Sequence, residues 1–585
     1  MRKSVSLACW CLTVAAAVLS PYGGCYRARA PQPELQPQSV VSAPGLAKSS
    51  SAPLALQDVT GRTGITFVHT DGSSGQRYIV ETVTGGLAEF DYDGDGRVDL
   101  YFLNGAPLRG TESNPRELPR NALYRNEGDW RFRDVSEQAG VGDIGYGLGV
   151  TAGDYDNDGD PDLFVSNYGL NVLYRNNGDG TFSDTTAVAG VAGAATVGAG
   201  ASFFDMDADG DLDLYVANYV QFTYETHRVV HVDGYPQYVG PREYPPEPDQ
   251  VYRNNGDGTF TDVSRESGVG QHAGTGMGIV AADFDQDGDT DMFVLNDVAS
   301  NFLFRNDGSG RFEEVGLVSG FACNGLGDEL GSMGIDCGDY DNDGWLDLFM
   351  TSYQNELPVL YRNLGNGSLE DVTIRTGAGE GCFPYVNWGT GLVDLDNDGD
   401  RDLFVVCGHL QDNVELVDQT TGYKVHNVLL MNTGNGKFVN VSEAAGDGLR
   451  LKRSGRGAGF DDLDGDGDLD VAILNSRDPP TILRNDSAAP HHWLQLTLRG
   501  CRANRDGVGA RVRVVAGDLT LVDEVHSGRG YQSHWGSRLQ FGLGDRDRVD
   551  LIEIRWLGGG QQRLENVAAD QWLTIVEKGQ PLTEP

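Results

Sequence analysis

Seven times along the chain the same nine-residue pattern recurs, Asp-x-Asp-x-Asp-Gly-x-x-Asp, and no other feature so narrows the folds open to it. The copies begin at Asp91, Asp154, Asp205, Asp283, Asp339, Asp394 and Asp462, a mean period of about 62 residues. That is longer than the roughly 40 to 50 residues of familiar propeller repeats, and the spacing is unequal. Loops of different length inserted into one common unit account for both. The flanks repeat as well. Upstream of the pattern lie glycine-rich strand candidates such as Gly147-Leu148-Gly149-Val150, Gly198-Ala199-Gly200-Ala201 and Gly276-Met277-Gly278-Ile279. Downstream come an apolar run such as Leu163-Phe164-Val165 or Leu348-Phe349-Met350, then a segment like Asn121 to Asn126, echoed at Asn171 to Asn176 and Asn301 to Asn306. A turn, Asn177-Gly178-Asp179-Gly180, leads into Thr181-Phe182-Ser183-Asp184. Four short β-type runs per unit, separated by Gly, Asn and Asp, suit a propeller blade.

The seventh copy stops at Leu483-Arg484-Asn485, without the turn and the Phe-x-Asp strand, whereas Leu56-Gln57-Asp58-Val59-Thr60 supplies such a strand before the first copy. A strand contributed from the N-terminal side closes a ring and leaves no long edge exposed, while an open solenoid needs caps. The expected fold is therefore all-β: a seven-bladed β-propeller over residues 55–488 closed by its N-terminal strand, followed by a small β-sandwich-like domain over 489–585.

Alternating carboxylates ending in a glycine gather hard oxygen ligands around one point, and the glycine allows the sharp turn that wraps the backbone. The four acids are Asp91, Asp93, Asp95 and Asp99 in loop one, Asp154, Asp156, Asp158 and Asp162 in loop two, and Asp205, Asp207, Asp209 and Asp213 in loop three. Loop four has Asp283, Asp285, Asp287 and Asp291; loop five has Asp339, Asp341, Asp343 and Asp347. Loop six has Asp394, Asp396, Asp398 and Asp402; loop seven has Asp462, Asp464, Asp466 and Asp470. Position seven varies freely, with Arg97, Asp160 and Trp345 among its occupants, as expected of a carbonyl donor. Position twelve, a bidentate Glu in helix-loop-helix calcium sensors, is here an apolar residue such as Phe102 or Ile473 inside an expected strand. Calcium suits such sites better than magnesium, which prefers fewer protein ligands and strict octahedral geometry. About seven structural calcium ions per chain are the expectation; clustered acids without a cation would repel one another. Those ions would offset about a third of the formal net charge of −42.

That charge argues against nucleic acid or an anionic membrane as a partner. The 81 glycines show no Gly-X-Y period, and with 39% hydrophobic residues and regularly placed acids the chain reads as folded rather than as a solvated acidic tail. At the N-terminus, Arg2 and Lys3 precede an apolar run from Val5 to Leu19 that is short for a membrane span and reads as an export signal. Gly23-Gly24-Cys25 resembles the end of a bacterial lipoprotein signal, making Cys25 a lipidation candidate; Ala28-Arg29-Ala30, followed by Pro31, is the competing cleavage site. Residues 26–54, rich in Pro, Gln, Ser and Ala, read as a tether. The expected location is exported: periplasmic, anchored to the outer membrane or extracellular, with no transmembrane segment in the mature chain. Cys323, Cys337, Cys382, Cys407 and Cys501 form no zinc pattern. One bridge, Cys323 to Cys382, is conceivable; buried thiols are the simpler expectation.

After Asn485 a different β pattern begins, with runs such as His492 to Leu498, Ala510 to Val515 and Leu551 to Trp556. It contains Asn504-Arg505-Asp506-Gly507-Val508-Gly509-Ala510-Arg511-Val512, Ser527-Gly528-Arg529-Gly530-Tyr531-Gln532-Ser533 and Phe541-Gly542-Leu543-Gly544. These stretches resemble the ASPIC and UnbV domain, and the aspartate repeats resemble FG-GAP/VCBS repeats, which integrin α-subunit propellers also carry. Repeats followed by this tail resemble the cartilage acidic protein family, with many secreted bacterial members. The resemblance implies extracellular calcium binding with adhesion or recognition. The chain departs from the family pattern at Trp556-Leu557, where Trp-Pro is usual, and in the insertion from Gln221 to Pro248, which has no cysteine before Gly240-Pro241.

No Gly-x-Ser-x-Gly elbow, phosphate-binding Gly-Lys-Ser/Thr loop or His-Glu-x-x-His helix is present, so no catalytic residue is assigned and an enzyme is not expected. His227 and His231 stand four apart beside Tyr224, Glu225 and Asp233, in a segment too rich in Pro and Tyr to place both on one helix face. His409, His491 and His492 carry no ligand spacing, and Asn504, Arg505, Asp506, His526 and His534 are the tail's candidates for a polar pocket. The functional expectation is an exported calcium-binding propeller acting in cell-surface adhesion or recognition of an extracellular protein or glycan. Its alternative is an enzyme or biosynthetic accessory factor with a small-molecule site in the propeller channel or at the junction with the C-terminal domain. A concave pocket with converging charged side chains would favour the alternative.

Overall fold

The computed structural model describes residues 54–111, 118–487 and 491–578. The export signal, Cys25 and all but the last residue of the expected tether fall outside them. The structure is all-β; the helices among the described residues are single turns of three or four residues. Every repeat forms four antiparallel strands. In repeat two they are Tyr146–Gly153, Asp162–Gly169, Val172–Asn176 and Phe182–Asp184. Repeats one, four, five, six and seven are separate four-stranded sheets, while Thr196 and Val197 pair with Gly169 and Tyr168 to merge repeats two and three into one eight-stranded sheet. The fourth strand of repeat seven is Leu56–Asp58, pairing with Thr481–Asn485 in the register Leu56 to Asn485 and Asp58 to Leu483.

Sheets stacked on both sides explain why the second strand of each repeat reads as continuous apolar sequence rather than as alternation. Leu163, Phe164 and Val165 are all fully buried. Phe164 joins the core shared with repeat three, and its two neighbours point the other way, into the core shared with repeat one. The first strands run side by side, and their glycines mark the closest approaches. A Cβ at Gly149 would collide with the carbonyl oxygen of Ala199, one at Gly278 with that of Met333, and one at Gly334 with that of Trp388. Backbone bonds continue the series: Gly86 N donates to Leu148 O at 3.2 Å, Gly278 N to Met333 O at 2.8 Å, and Gly457 N to Gly85 O at 2.8 Å, the last joining repeat seven to repeat one.

Beyond the repeats, His492–Arg499 lies between Leu539–Gly544, antiparallel, and Gln571–Val576, parallel. A second sheet runs in the order Leu519–Glu524, Arg511–Ala516, Arg548–Arg555, Gln561–Ala568. Leu494, Leu496 and Leu498 of the first sheet meet Val512, Val514, Ile552 and Ile554 of the second in one core, which continues into Tyr155, Phe164 and Phe203 of the repeats. The tail is thus packed on the repeats rather than swinging free.

Its deepest contact is the segment 526–535, buried throughout. Gly530 exchanges backbone bonds with Ile335 at 2.8 and 3.0 Å; His534 N donates to Leu87 O and Glu89 N to His534 O, both at 2.9 Å; Val150 N donates to Gln532 O at 3.1 Å. The ring of Tyr531 sits 5.0 Å from that of Trp388 with its hydroxyl donating to Val83 O, and Trp535 lies 5.0 Å from Phe460. His526 bonds Ala281 O through Nδ1 at 2.8 Å, and Ser202 Oγ donates to Ser527 O. One ten-residue segment therefore touches the first strand of every repeat. On another part of the repeats the insertion 221–248 makes a strap: Tyr238 OH donates to Glu81 Oε2 at 2.7 Å, and Asn413 Nδ2, of repeat six, to Pro236 O at 3.0 Å.

Candidate metal centres

Each aspartate loop joins the first and second strands of its repeat, as Asp91 to Asp99 does between Leu87–Phe90 and Asp99–Phe102. Two left-handed residues make the turn. Position six, always glycine, has φ from 87° at Gly96 to 104° at Gly159. Position four is left-handed in all seven loops as well, though only Gly94 and Gly465 are glycine; Asn157, Ala208, Gln286, Asn342 and Asn397 hold it with φ between 55° and 61°.

That turn folds the acids inward with a fixed division of labour. The first aspartate accepts the N–H of position six, from 2.7 Å at Gly159 to Asp154 to 3.1 Å at Gly288 to Asp283. The ninth accepts the N–H of position two and that of an asparagine on the third strand, as Asp347 does from Tyr340 at 3.1 Å and Asn363 at 2.8 Å. The fifth accepts the N–H of position seven, as Asp343 does from Trp345 at 3.0 Å. Positions one, three and nine then point at one another: in loops one to five the trios Asp91-Asp93-Asp99, Asp154-Asp156-Asp162, Asp205-Asp207-Asp213, Asp283-Asp285-Asp291 and Asp339-Asp341-Asp347 each bring three ligand oxygens within 4.8 Å of one another. Position five stands outside the trio.

The donor set fits a hard cation. The Oδ1 atoms of Asp93, Asp156, Asp207, Asp341 and Asp396 are buried without a hydrogen-bond partner, the same oxygen at the same position in five loops. Burial pushes the carboxyls of Asp99, Asp162, Asp213, Asp291, Asp347, Asp402 and Asp470 well above the usual range. It lifts Asp205 and Asp339 to about 7. Buried carboxylates lacking a positive charge pay this cost, and a divalent cation removes it.

Other residues tie the loops to one another. The third-strand asparagine of each repeat reaches the position-two carbonyl of the preceding loop: Asn176 to Tyr92 at 2.8 Å, Asn306 to Met206 at 2.7 Å, and Asn126 of repeat one to Leu463 of repeat seven at 2.8 Å. Position-four amides reach forward to the next loop, Gln286 to Gly344 O at 2.9 Å, Asn342 to Gly399 O at 3.1 Å and Asn397 to Gly467 O at 3.2 Å. Beside that asparagine stands an arginine. Arg125 pairs with Asp93 at 2.6 Å and Asp95 at 3.0 Å, and Arg362 with Asp341 at 2.7 Å and Asp343 at 2.8 Å. Repeat six has Met431 in its place. The recurrent Tyr-Arg-Asn run carried this signal, but spacing alone did not reveal what the side chains touch.

The tail rests on all seven loops. Arg538 donates to Gly96 O at 3.2 Å, Asp506 accepts Asp154 N at 2.7 Å, and Gly210 packs on the Arg502 carbonyl with no room for a Cβ. Glu524 accepts Asp283 N at 3.3 Å, and Arg511 donates to Gly344 O at 2.6 Å. Gln540 bonds Asn397 at 2.7 Å, and Gln495 donates to Asp462 at 2.9 Å.

The other candidates disperse. His227 bonds Gln76 O at 2.8 Å and packs on Tyr78, while His231 is exposed in the hairpin of Val230–Val232 with Tyr235–Gln237, so the two do not converge. His409 bonds Gln354, His491 the carbonyl of Asp396, and His492 Asp570. Asn504 closes its own turn against Val508, and Arg505 N donates to Asn157. His526 is buried against Cys337 Sγ at 3.3 Å. Asp506 and His534 share the lining of a cavity of about 90 Å³. Cys323, Cys337, Cys382, Cys407 and Cys501 are all free thiols, three of them buried, so the conceivable Cys323–Cys382 bridge is not formed.

Comparison with known proteins decides the family. The FG-GAP-like repeat model matches residues 91–165, 154–216, 233–294, 283–350, 339–405 and 394–473, and the ASPIC and UnbV model matches residues 500–582. The chain belongs to the FG-GAP repeat family. This FG-GAP repeat chain is 24% identical over 512 residues to cartilage acidic protein 1 of Homo sapiens, covering 84% of itself and 71% of that protein. Against the Mus musculus protein it is 23% identical, covering 84% and 72%. Among solved structures it is similar to an Agrocybe aegerita lectin that specifically recognises non-reducing terminal N-acetylglucosamine, with TM-score 0.35, 16% identity and coverage of 62% of this chain and 82% of the lectin. A Bacillus licheniformis rhamnogalacturonan lyase gives TM-score 0.34, 13% identity and coverage of 68% and 71%. Likeness this weak carries no function across.

Proposed function

We propose that the seven loops bind structural calcium, about seven ions per chain, through the twenty-eight aspartates of the repeated pattern, and that the loaded loops seat the C-terminal domain. The observation that carries this is the unpartnered Oδ1 of the third-position aspartate, repeated in five loops. In this reading the repeats, residues 55–488, are the blades of a closed seven-bladed propeller, and residues 489–585 are the domain seated on one face. Three series of contacts support closure: the pairing of Leu56–Asp58 with Thr481–Asn485, the bond from Gly457 to Gly85, and the reach of Asn126 to Leu463.

The biological reading is an exported recognition or adhesion protein: calcium stiffens the scaffold, and surfaces away from the loops meet an extracellular protein or glycan. Lipidation of Cys25 and periplasmic, outer-membrane or extracellular placement belong to the same proposal. No helix among the described residues is long and apolar enough to cross a membrane. Binding rather than catalysis is favoured because the candidate histidines do not converge: His227 and His231 stand apart, and His409, His491 and His492 each hold a separate partner.

Metal content and thermal unfolding test the calcium reading. About seven calcium ions per purified chain, and a clear fall in melting temperature with EGTA, are the expected outcome. A calcium-free protein that melts alike with and without chelator would leave the loops as acidic turns.

A further inference from the structure

The outer face of the tail's second sheet turns toward loops four and five and leaves a cavity of about 520 Å³ between them. Its wall follows from strand alternation. Val512, Val514, Ile552 and Ile554 enter the core, so Arg511, Arg513, Glu553 and Arg555 face the other way, with Gln561 and Arg563 beside them on the next strand. Four guanidiniums thus line one pocket in a chain whose formal net charge is −42.

The lining holds two carboxylates against them, Glu553 and Asp343, and Asp343 is already paired with Arg362 at 2.8 Å. Glu553 serves two of them, Arg513 at 2.7 Å and Arg563 at 2.8 Å. Arg511 and Arg555 lie directly opposite each other on neighbouring strands, a like-charge pairing that destabilises a sheet; Glu524, opposite Arg511 on the other side, offsets part of it but accepts the N–H of Asp283 rather than a guanidinium bond. Arg511 donates one N–H to the carbonyl of Gly344 at 2.6 Å, and its Nη1 is buried without a partner. Arg555 has Asp283 as its acid neighbour at 3.9 Å, and Asp283 already accepts the N–H of Gly288. A smaller cavity of about 250 Å³ adjoins the first and shares Arg511 and Arg555, so the unmatched pair borders both.

The rest of the lining selects among anions. Gln561 and Thr520 present donors and acceptors together, and Gln286 and Asn342 add their amide oxygens, which suits hydroxyl groups, while Gln562 is already bonded to Val576 and Lys578. The volume lies within the range of about 300 to 1,000 Å³ usual for small-molecule sites. We propose that this pocket binds an acidic saccharide, with the carboxylate of a uronic acid held between Arg511 and Arg555 and its hydroxyls on the amides around them. The reading of loops four and five as calcium sites bears on it, because Gln286, Asn342 and Gly344 form the floor.

The test is calorimetric titration of the calcium-loaded full chain, its metal content measured on the same sample, with a glucuronic-acid-containing disaccharide. The neutral glucose analogue and sodium sulfate serve as controls. Saturable binding of the acidic sugar alone, weakened about tenfold or more in Arg511→Gln and in Arg555→Gln, is the expected result. Arg563→Glu, at the exposed rim, supplies a second variant that leaves the loop contacts untouched and should weaken binding as well. No binding by a sample that holds its calcium overturns the pocket and leaves the calcium reading standing. Equal binding of the neutral sugar, or unchanged affinity in all three variants, overturns it too. Binding by a sample that holds no metal supports the pocket and counts against the calcium reading.

Discussion

Arg362 holds the Oδ2 atoms of Asp341 and Asp343, so its positive charge stands beside the unpartnered Oδ1 of Asp341 that a cation entering loop five would meet. In loop six the corresponding side chain is Met431, and burial with repulsion from Asp398 and Asp396 drives Asp394 far above the usual range. Identical ligand sequences therefore do not mean identical sites. Arg362→Met is expected to tighten calcium binding at loop five about three- to tenfold, and Met431→Arg to weaken loop six by a similar factor, as read by calcium titration of each variant against the parent. Unaltered titrations would mean that the arginines move aside at no cost. The clustering of the acids was legible in the sequence, because alternating aspartates before a glycine turn fold their carboxylates toward one point. The arginine was not. Its role depends on which strand lies beside the loop in space, and periodicity along the chain does not record that.

Between residues and whole sheets, the links from loop to loop are uneven. Asn342 donates to both the Gly399 carbonyl and Asp400 of the next loop, whereas Ala208 in loop three has no side-chain donor to offer. The loops from four to seven are consequently braced in series by Gln286, Asn342 and Asn397. Replacing Asn342 by Ala should cost about 1 kcal/mol of stability for each lost bond and lower the cooperativity of calcium uptake, measured by thermal melts over a calcium series. A variant that keeps the parent's calcium dependence would show the braces to be incidental. Strand order and loop placement followed from composition, with Phe102, Val165 and Ile473 inside strands as expected. The four-residue helices such as Ser136–Ala139 did not, since one turn is too short to leave a helical period in the sequence.

At the scale of the whole molecule, the seat of the tail was the least legible feature. Its contacts are amides and backbone groups, such as Gln495, Gln540 and Gly530, that look like ordinary surface or turn residues until they are placed. Because the tail touches every loop, a protein that carries the proposed calcium should loosen there on its removal before the sheets themselves melt. Hydrogen exchange is expected to rise first in residues 526–535 when EGTA is added; exchange rising first in second strands such as Asp402–Cys407 would reverse that order. The burial of 526–535 against the first strand of every repeat also bears on how the chain is made. Leu56–Asp58 emerges from the ribosome before its partner Thr481–Asn485 exists, and 526–535 has nowhere to go until all seven repeats stand around it. The piece that locks the repeats is thus made only after all of them. A chain cut short anywhere before Trp535 lacks it, so a truncated product carries its own mark of incompleteness for proteases to find.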